Sequence, residues 1–393
     1  MEDTTRKKRI LIAMIEVGGC HAAIAYAIRD ALEKNQPGAF DIEVVDLPRA
    51  SGAIQVDHFI KRFWRMALAR PVLTTQVNAW MDEVGHLAHS NTLVRVFFQN
   101  FVRKGMRFIQ AYDPDLVICT HFFCTSVAAF ARQQSNGSFG VVAHVSDPFH
   151  AHGLWVNLLA DELVVCSDTV RAQLRALGQP EERMTVLPFP IHSRFFQPVA
   201  TSREDMLDAL GLEPTRLTIL ASFGGEGIGD MTRYLRHIYL SGLRLNLIVA
   251  CGKNEGLQRE LRLLALRPSA VRMVPLGFVH NMNELAEVAD VGLVKAGPST
   301  LFELLAKGCP VMVTQVAAKV EEGNLRFVIE QGLGWDVREM TTFQEVLGKL
   351  GNPGFLQAVR GRIRLNPYLS ALPDAAFRVA ARMAGFIPDN TTR

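Results

Sequence analysis

Residues 294–312 read VKAGPSTLFELLAKGCPVM. A short apolar run ends in a lysine, breaks at Ala-Gly-Pro, and passes into a helical pattern before a second apolar run begins at Pro310. Strand, turn, helix, strand is the arrangement that such punctuation predicts. A structural turn needs the glycine and the proline. It does not need two hydroxyls and a carboxylate, Ser299, Thr300 and Glu303, grouped around a helix start. In this reading Ser299 or Thr300 caps the helix LFELLAKG, and Gly297 with the free N–H groups beyond it suits a pyrophosphate. Glu303 falls three residues after Thr300. That spacing fits a capping-box partner or a first-turn carboxylate that accepts both hydroxyls of a ribose.

The same alternation extends in both directions. β-Branched runs occur at 9–15, 41–46, 115–120, 140–145, 162–166 and 184–187, then at 216–222, 245–251, 271–276, 291–295 and 310–315, with helical patterns between them. Such alternation marks βαβ units and parallel sheets. Residues 188–202, PFPIHSRFFQPVATS, contain three prolines and no clear period, which places a boundary there. The predicted class is α/β: two doubly wound, Rossmann-like domains facing each other across a cleft, 1–195 and 196–370. A C-terminal helix, about 371–393, packs back on the first. Ligands are expected beyond the carboxyl ends of the strands.

The composition sets limits. The chain has 393 residues, 49% apolar and 21% charged, which describes a globular protein of two ordinary domains rather than a disordered one. A net charge of +3 gives no case for nucleic acid. Six cysteines show neither CxxC nor zinc-ligand spacing and read as reduced thiols. No secretory leader or run of about 20 apolar residues is legible, so the expectation is a cytoplasmic, peripheral protein. The charge is unevenly placed. Between residues 58 and 109 eight Lys and Arg face only two acids, Asp82 and Glu83, and are interleaved with phenylalanines and Trp64. Basic, aromatic helices of this kind bind anionic membrane surfaces; packing on the first sheet is the competing explanation.

Two further elements carry chemistry. After the strand ending at Ser222 comes FGGEGIGD, where Gly224, Gly225, Glu226 and Gly227 form a second candidate anion loop. Its spacing is not the GxGxxG of dinucleotide binders. After the first strand, EVGGCHAAIAYAIRDAL places His21 at a helix start behind Gly18 and Gly19, where a neutral imidazole is favoured and can accept a proton. Asp147 follows a later strand, where it can orient an imidazole or itself accept a proton. His150 and His152 have no matching ligand cluster elsewhere, so no metal site is read from them. Trp155 fits core packing as well as a ligand contact.

Read together, LGFVHNMNELAEVADVGLVKAGPSTLFELLAKGCPVMV and EEGNLRFVIEQGLG resemble the donor-binding half of GT-B glycosyltransferases. The resemblance is closest to the monogalactosyldiacylglycerol synthase and diacylglycerol glucosyltransferase group, relatives of the lipid II-forming N-acetylglucosaminyltransferase. It implies a UDP-sugar substrate and no separate cofactor or metal. Phe278 and Val279 would flank the uracil, Ser299 and Thr300 would meet the diphosphate, and Glu303 would hold the ribose. Glu321, Glu322 and Asn324 would meet hexose hydroxyls. The stretch at Gly19 and His21 resembles the family's GGGH loop, with Cys20 in place of the third glycine and Ala22 in place of a basic residue. SDPFHAHGLWV (146–156) resembles its acceptor segment, with Asp147, His152 and Trp155 at the family spacing. The implied activity is inverting transfer of a hexose from UDP to a lipid hydroxyl, with diacylglycerol as first choice. His21 and Asp147 are the catalytic candidates; Gly19, His152 and Trp155 are the acceptor candidates. A polyprenyl-linked or natural-product acceptor, a nonhydrolysing UDP-sugar epimerase and a non-catalytic nucleotide-sugar-binding protein stand as alternatives.

Overall fold

A computed structural model of the chain describes residues 6–68, 90–135, 137–222, 224 and 231–388, leaving aside the side chains of 65, 67, 68, 90 and 93. The chain divides into two compact units, Met1–Ser193 with Ala371–Arg393, and Arg194–Ser370.

In the first unit the strands are β1 (Lys8–Met14), β2 (Phe40–Asp46), β3 (Leu116–Cys119), β4 (Gly140–His144), β5 (Glu162–Val165) and β6 (Met184–Val186). They form one parallel sheet in the order β2-β1-β3-β4-β5-β6. Ile10 to Ala13 and all of Leu116–Cys119 are fully buried. That is why these strands read as unbroken apolar runs: a parallel sheet is covered on both faces. Its longer helices are α1 (Cys20–Asn35), α2 (Ile54–Leu68), α3 (Ser90–Phe97), α4 (Gln99–Tyr112), α5 (Phe122–Gln134) and α6 (Asp168–Ala176).

In the second unit the strands are β7 (Leu217–Ser222), β8 (Leu245–Ala250), β9 (Arg272–Leu276), β10 (Val291–Lys295), β11 (Val311–Gln315) and β12 (Gly334–Asp336). The order is β12-β11-β10-β7-β8-β9, again parallel. The three-residue edge strand β12 was absent from the sequence expectation, since Gly-Trp-Asp is too short to show a period. Its longer helices among the described residues are α7 (Arg203–Ala209), α8 (Thr232–Leu240), α9 (Glu255–Ala265), α10 (Met282–Val288), α11 (Pro298–Ala306), α12 (Glu322–Glu330), α13 (Met340–Lys349) and α14 (Pro353–Leu365).

The last helix, α15 (Leu372–Ala384), belongs to the first unit and packs on α1. Its Arg382 Nε donates to the buried Glu162 at 2.8 Å. Gly140 accommodates the chain end: a Cβ there would lie 2.3 Å from the Phe386 carbonyl oxygen.

Each sheet has one point where the strand order reverses, between β1 and β3 in the first unit and between β7 and β10 in the second. Loops leaving the carboxyl ends of such a strand pair diverge to opposite faces and leave a crevice between them. The Gly-Gly-Cys-His loop leaves β1, and the loops at Gly224 and Gly297 leave β7 and β10; the segments at 146–156, 278–279 and 321–324 follow β4, β9 and β11.

Candidate functional site

At the reversal point of the first sheet, β1 runs into Gly18 and Gly19, with φ of +69° and +86°, left-handed values that favour glycine. Gly19 is the N-cap of α1, and Cys20 is already its first helical residue. A third glycine is not required there, and the cysteine costs the loop nothing in backbone strain. His21 follows, half-buried. Its Nδ1 is hydrogen-bonded to the carbonyl oxygen of Thr120, at the end of β3, and Thr120 Oγ1 donates back to the His21 carbonyl at 3.0 Å. A carbonyl can only accept, so Nδ1 carries the proton and Nε2 is left with its lone pair. Burial lowers the His21 pKa to about 4, with the Thr120 bond pulling weakly the other way.

The residue after Thr120 was not singled out from the sequence. His121 is 4% exposed and caps α5, its Nδ1 accepting from the Phe123 N–H at 3.2 Å. Its ring centroid lies 4.7 Å from that of His21 and 4.3 Å from Phe122. Burial, then His21 and His152, hold its pKa well below the usual value. His144, at the end of β4, is held at about 3 by burial and by His21. A histidine immediately after an apolar strand, in CTHFFC, was the legible signal for His121.

Asp147 does not hold His21: the carbonyl of Thr120 occupies Nδ1, and Asp147 Oδ2 accepts from Trp155 Nε1 at 2.7 Å. Trp155 itself is 1% exposed within the core. This burial favours the core-packing reading of Trp155, whose indole N–H also holds the Asp147 carboxylate. His152 is buried too, stacked on Trp155 and edge-on to Phe122 at 4.8 Å. His150 Nδ1 is paired with the Gln173 amide at 3.3 Å. Among the described residues no group of three or more His, Cys, Asp or Glu is placed to hold a metal ion.

At the reversal point of the second sheet, Gly224 follows β7 with φ +71°; Gly225, Glu226 and Gly227 lie outside the described residues. The helix after β10 starts earlier than expected. Its N-cap is Gly297, Pro298 occupies the first turn, and no side chain caps it. Neither Ser299 nor Thr300 is the cap, therefore, and Glu303 sits on the second turn, beyond a capping box. The reason is Pro298, whose fixed φ suits a first helical position. The first helical bond is from Leu301 N–H to the Gly297 carbonyl, so the N–H groups of Ser299 and Thr300 precede the ladder. Ser299 Oγ is buried with no hydrogen-bond partner. A hydroxyl in that state costs free energy unless something else meets it.

Glu303 is half-buried, and burial raises its pKa to about 7 while Arg194 acts in the opposite sense. Glu321 Oε2 accepts from the Ala317 N–H at 2.6 Å, and its Oε1 would lie 3.5 Å from a Cβ on Gly297. Burial raises its pKa, with Lys295 opposing. Asn324 is buried and donates to the Ala296 carbonyl at 2.9 Å, leaving its Oδ1 without a partner. Glu322 is exposed, and so is Phe278 at 51% with Val279 half-buried beside it. The residue missed here is Lys295, the last of β10. A Cβ on Gly224 would lie 3.9 Å from its Nζ, so it stands between the two loops at the reversal point. A cation ending an apolar strand just before Gly-Pro was the sequence signal. The arrangement gathers two N–H groups, one unpartnered hydroxyl, one ammonium and two carboxylates with raised pKa at one sheet end.

The first unit matches the family described as monogalactosyldiacylglycerol (MGDG) synthase over residues 21–191. The second matches the glycosyltransferase family 28 C-terminal domain over residues 231–344. Monogalactosyldiacylglycerol synthase 1 of Arabidopsis thaliana is 25% identical over 351 residues, covering 84% of this chain and 62% of that protein. The processive diacylglycerol beta-glucosyltransferase of Bacillus cereus is 27% identical over 245 residues, covering 62% of this chain and 61% of that one. The matches thus span about six tenths of those relatives' lengths. The crystal structure of Acinetobacter baumannii MurG superposes with a TM-score of 0.60 at 15% identity, over 96% of this chain and 99% of that one, and shares the GT-B fold. The first unit thus matches the monogalactosyldiacylglycerol synthase family and the second the glycosyltransferase family 28 C-terminal domain, on a GT-B fold.

Proposed function

We propose that this protein transfers a hexose from a UDP-sugar to a hydroxyl of diacylglycerol or a related lipid, with inversion and without a metal ion or other cofactor. The observation that carries the proposal is the fixed tautomer of His21 at the reversal point of the first sheet, with Nε2 left to accept a proton. The relatives named for diacylglycerol glycosides supply the acceptor class.

In this mechanism His21 Nε2 takes the proton of the attacking hydroxyl. The hydroxyl oxygen bonds to the anomeric carbon, the bond from that carbon to the diphosphate oxygen breaks, and its electron pair leaves with UDP. A single displacement inverts the anomeric centre. Charge gathering on the diphosphate is met by the N–H groups of Ser299 and Thr300, by Ser299 Oγ and by Lys295, which together replace the work of a divalent ion. Glu303 accepts the ribose hydroxyls, and the exposed ring of Phe278 stacks on the uracil. Asp147, buttressed by Trp155, shapes the acceptor end.

An anionic membrane surface is the proposed site of work. Ile54, Phe59, Met66, Val96 and Phe97 are exposed on α2 and α3, with the exposed cations Arg62, Arg95, Arg103 and Arg107 nearby in sequence. Lys61 is removed from that list: Asp46 at 2.6 Å and Asp57 at 2.5 Å hold its ammonium. Arg65 and Arg70 fall outside the described side chains. Among the described residues no helix is long and apolar enough to cross a membrane.

The test is a grid of UDP-hexoses against lipid acceptors, with products weighed by mass spectrometry and their anomeric configuration determined, in the presence and absence of EDTA. An isomerised UDP-sugar formed without acceptor would point to epimerase chemistry instead. Loss of a positioned base costs about 10²–10⁴-fold in rate, so His21→Ala with undiminished turnover would refute the assignment.

A further inference from the structure

His121 does more in this structure than a helix cap requires. Capping α5 needs one acceptor near the Phe123 N–H, and Ser, Thr, Asp or Asn supply it at least as well as an imidazole. Because Nδ1 accepts that N–H and burial keeps the ring neutral, the single ring proton resides on Nε2. His21 has the opposite tautomer, fixed by the Thr120 carbonyl one residue earlier. Segment 120–123 therefore sets two neighbouring imidazoles, with ring centroids 4.7 Å apart and planes tilted by 52°, as a complementary pair: one with an open lone pair at Nε2, one with a proton at Nε2. Among the described residues the cap is the only side-chain hydrogen bond that His121 makes.

We propose that His121 is the second imidazole of the acceptor site, donating Nε2–H to the oxygen of the hydroxyl whose proton His21 Nε2 accepts. A hydroxyl has one proton and two lone pairs, so it can give its proton to His21, take the His121 N–H on one lone pair and keep the other for attack on carbon. His121 retains its proton throughout; it aims the oxygen. A buried donor left without a partner penalises any acceptor that lacks a hydroxyl at this point. This inference rests on the reading of the first unit as the acceptor end.

Two substitutions separate the cap from the donor. His121→Asn places an amide oxygen where Nδ1 stands, keeping the cap, and deletes the Nε2–H. His121→Gln reaches an N–H towards the Nε2 position and gives up the cap. Transfer from UDP-galactose and UDP-glucose to dioleoylglycerol in vesicles is followed together with thermal melting. His121→Asn is expected to melt with the wild type and lose about tenfold in kcat/KM for the acceptor, with KM for the donor unchanged. His121→Gln is expected to melt lower and yet to transfer faster than His121→Asn. Wild-type transfer by His121→Asn would reduce His121 to a cap and overturn the proposal, as would equal losses in both variants. The reading it rests on fails separately, through an active His21→Ala protein.

Discussion

Glu303 gives the sharpest handle on the donor end. In the unliganded protein burial lifts its pKa to about 7, with Arg194 only partly offsetting this. To accept two ribose hydroxyls the group must be ionised. If only the carboxylate form binds, the apparent Kd is the intrinsic value divided by the ionised fraction, about 0.9 at pH 8, about 0.1 at pH 6 and about 0.01 at pH 5. Affinity should therefore weaken about tenfold from pH 8 to pH 6 and about tenfold again by pH 5, with about one proton released per ligand bound near pH 6. UDP-glucose is the ligand to use, because its diphosphate is doubly esterified and does not titrate in this range, whereas the terminal phosphate of UDP does. Titration calorimetry in buffers of different ionisation enthalpy reads both the Kd and the proton count. Glu303→Gln should bind weakly at pH 8 and show no slope. Stability moves in the opposite sense. A carboxyl with a raised folded pKa binds more protons in the native state between about 4.5 and 7, so its contribution is largest at low pH and lost as pH rises through 7. Glu303→Gln should thus be more stable than the wild type at pH 8, by at most about 3 kcal/mol. A wild-type Kd that is flat from pH 5 to pH 8, or a slope that survives in Glu303→Gln, would remove Glu303 from the ribose.

Further outcomes test the first unit. His21 and His144 have folded pKa values lowered to about 4 and about 3. The unfolded chain therefore binds more protons below about 6.5, and stability present above that pH falls as pH drops towards 4. Between pH 7.5 and pH 5 the urea midpoint should shift by the equivalent of about 4 kcal/mol; a midpoint that stays fixed would mean that these rings are not held neutral by burial. Exchanging Arg62, Arg95, Arg103 and Arg107 for Gln should abolish sedimentation with phosphatidylglycerol vesicles and leave binding of UDP-glucose intact. Unchanged sedimentation would exclude this face as the lipid contact.

The amino-acid sequence alone determined the two parallel sheets, because strands covered on both faces are apolar through their buried centres, as residues 10–14, 116–119, 247–250 and 291–294 are. It also singled out the two loops the structure sets at the reversal points: Gly-Gly-Cys-His after β1 and Ala-Gly-Pro-Ser-Thr after β10 place turn residues and polar side chains at strand ends, a local signal that needs no partner to be read. What lies across the fold escaped it. The tautomer of His21 is set by a carbonyl 99 residues away. The pairing of His21 with His121 exists only because β1 and β3 are neighbours in the sheet. Lys61, one of the eight cations of 58–109, is held by Asp46 and Asp57, and Trp155 is covered by the core. Period and punctuation are properties of consecutive residues, whereas desolvation, charge pairing and the nitrogen that holds a proton depend on atoms brought together from distant strands, and only the tertiary structure decides those.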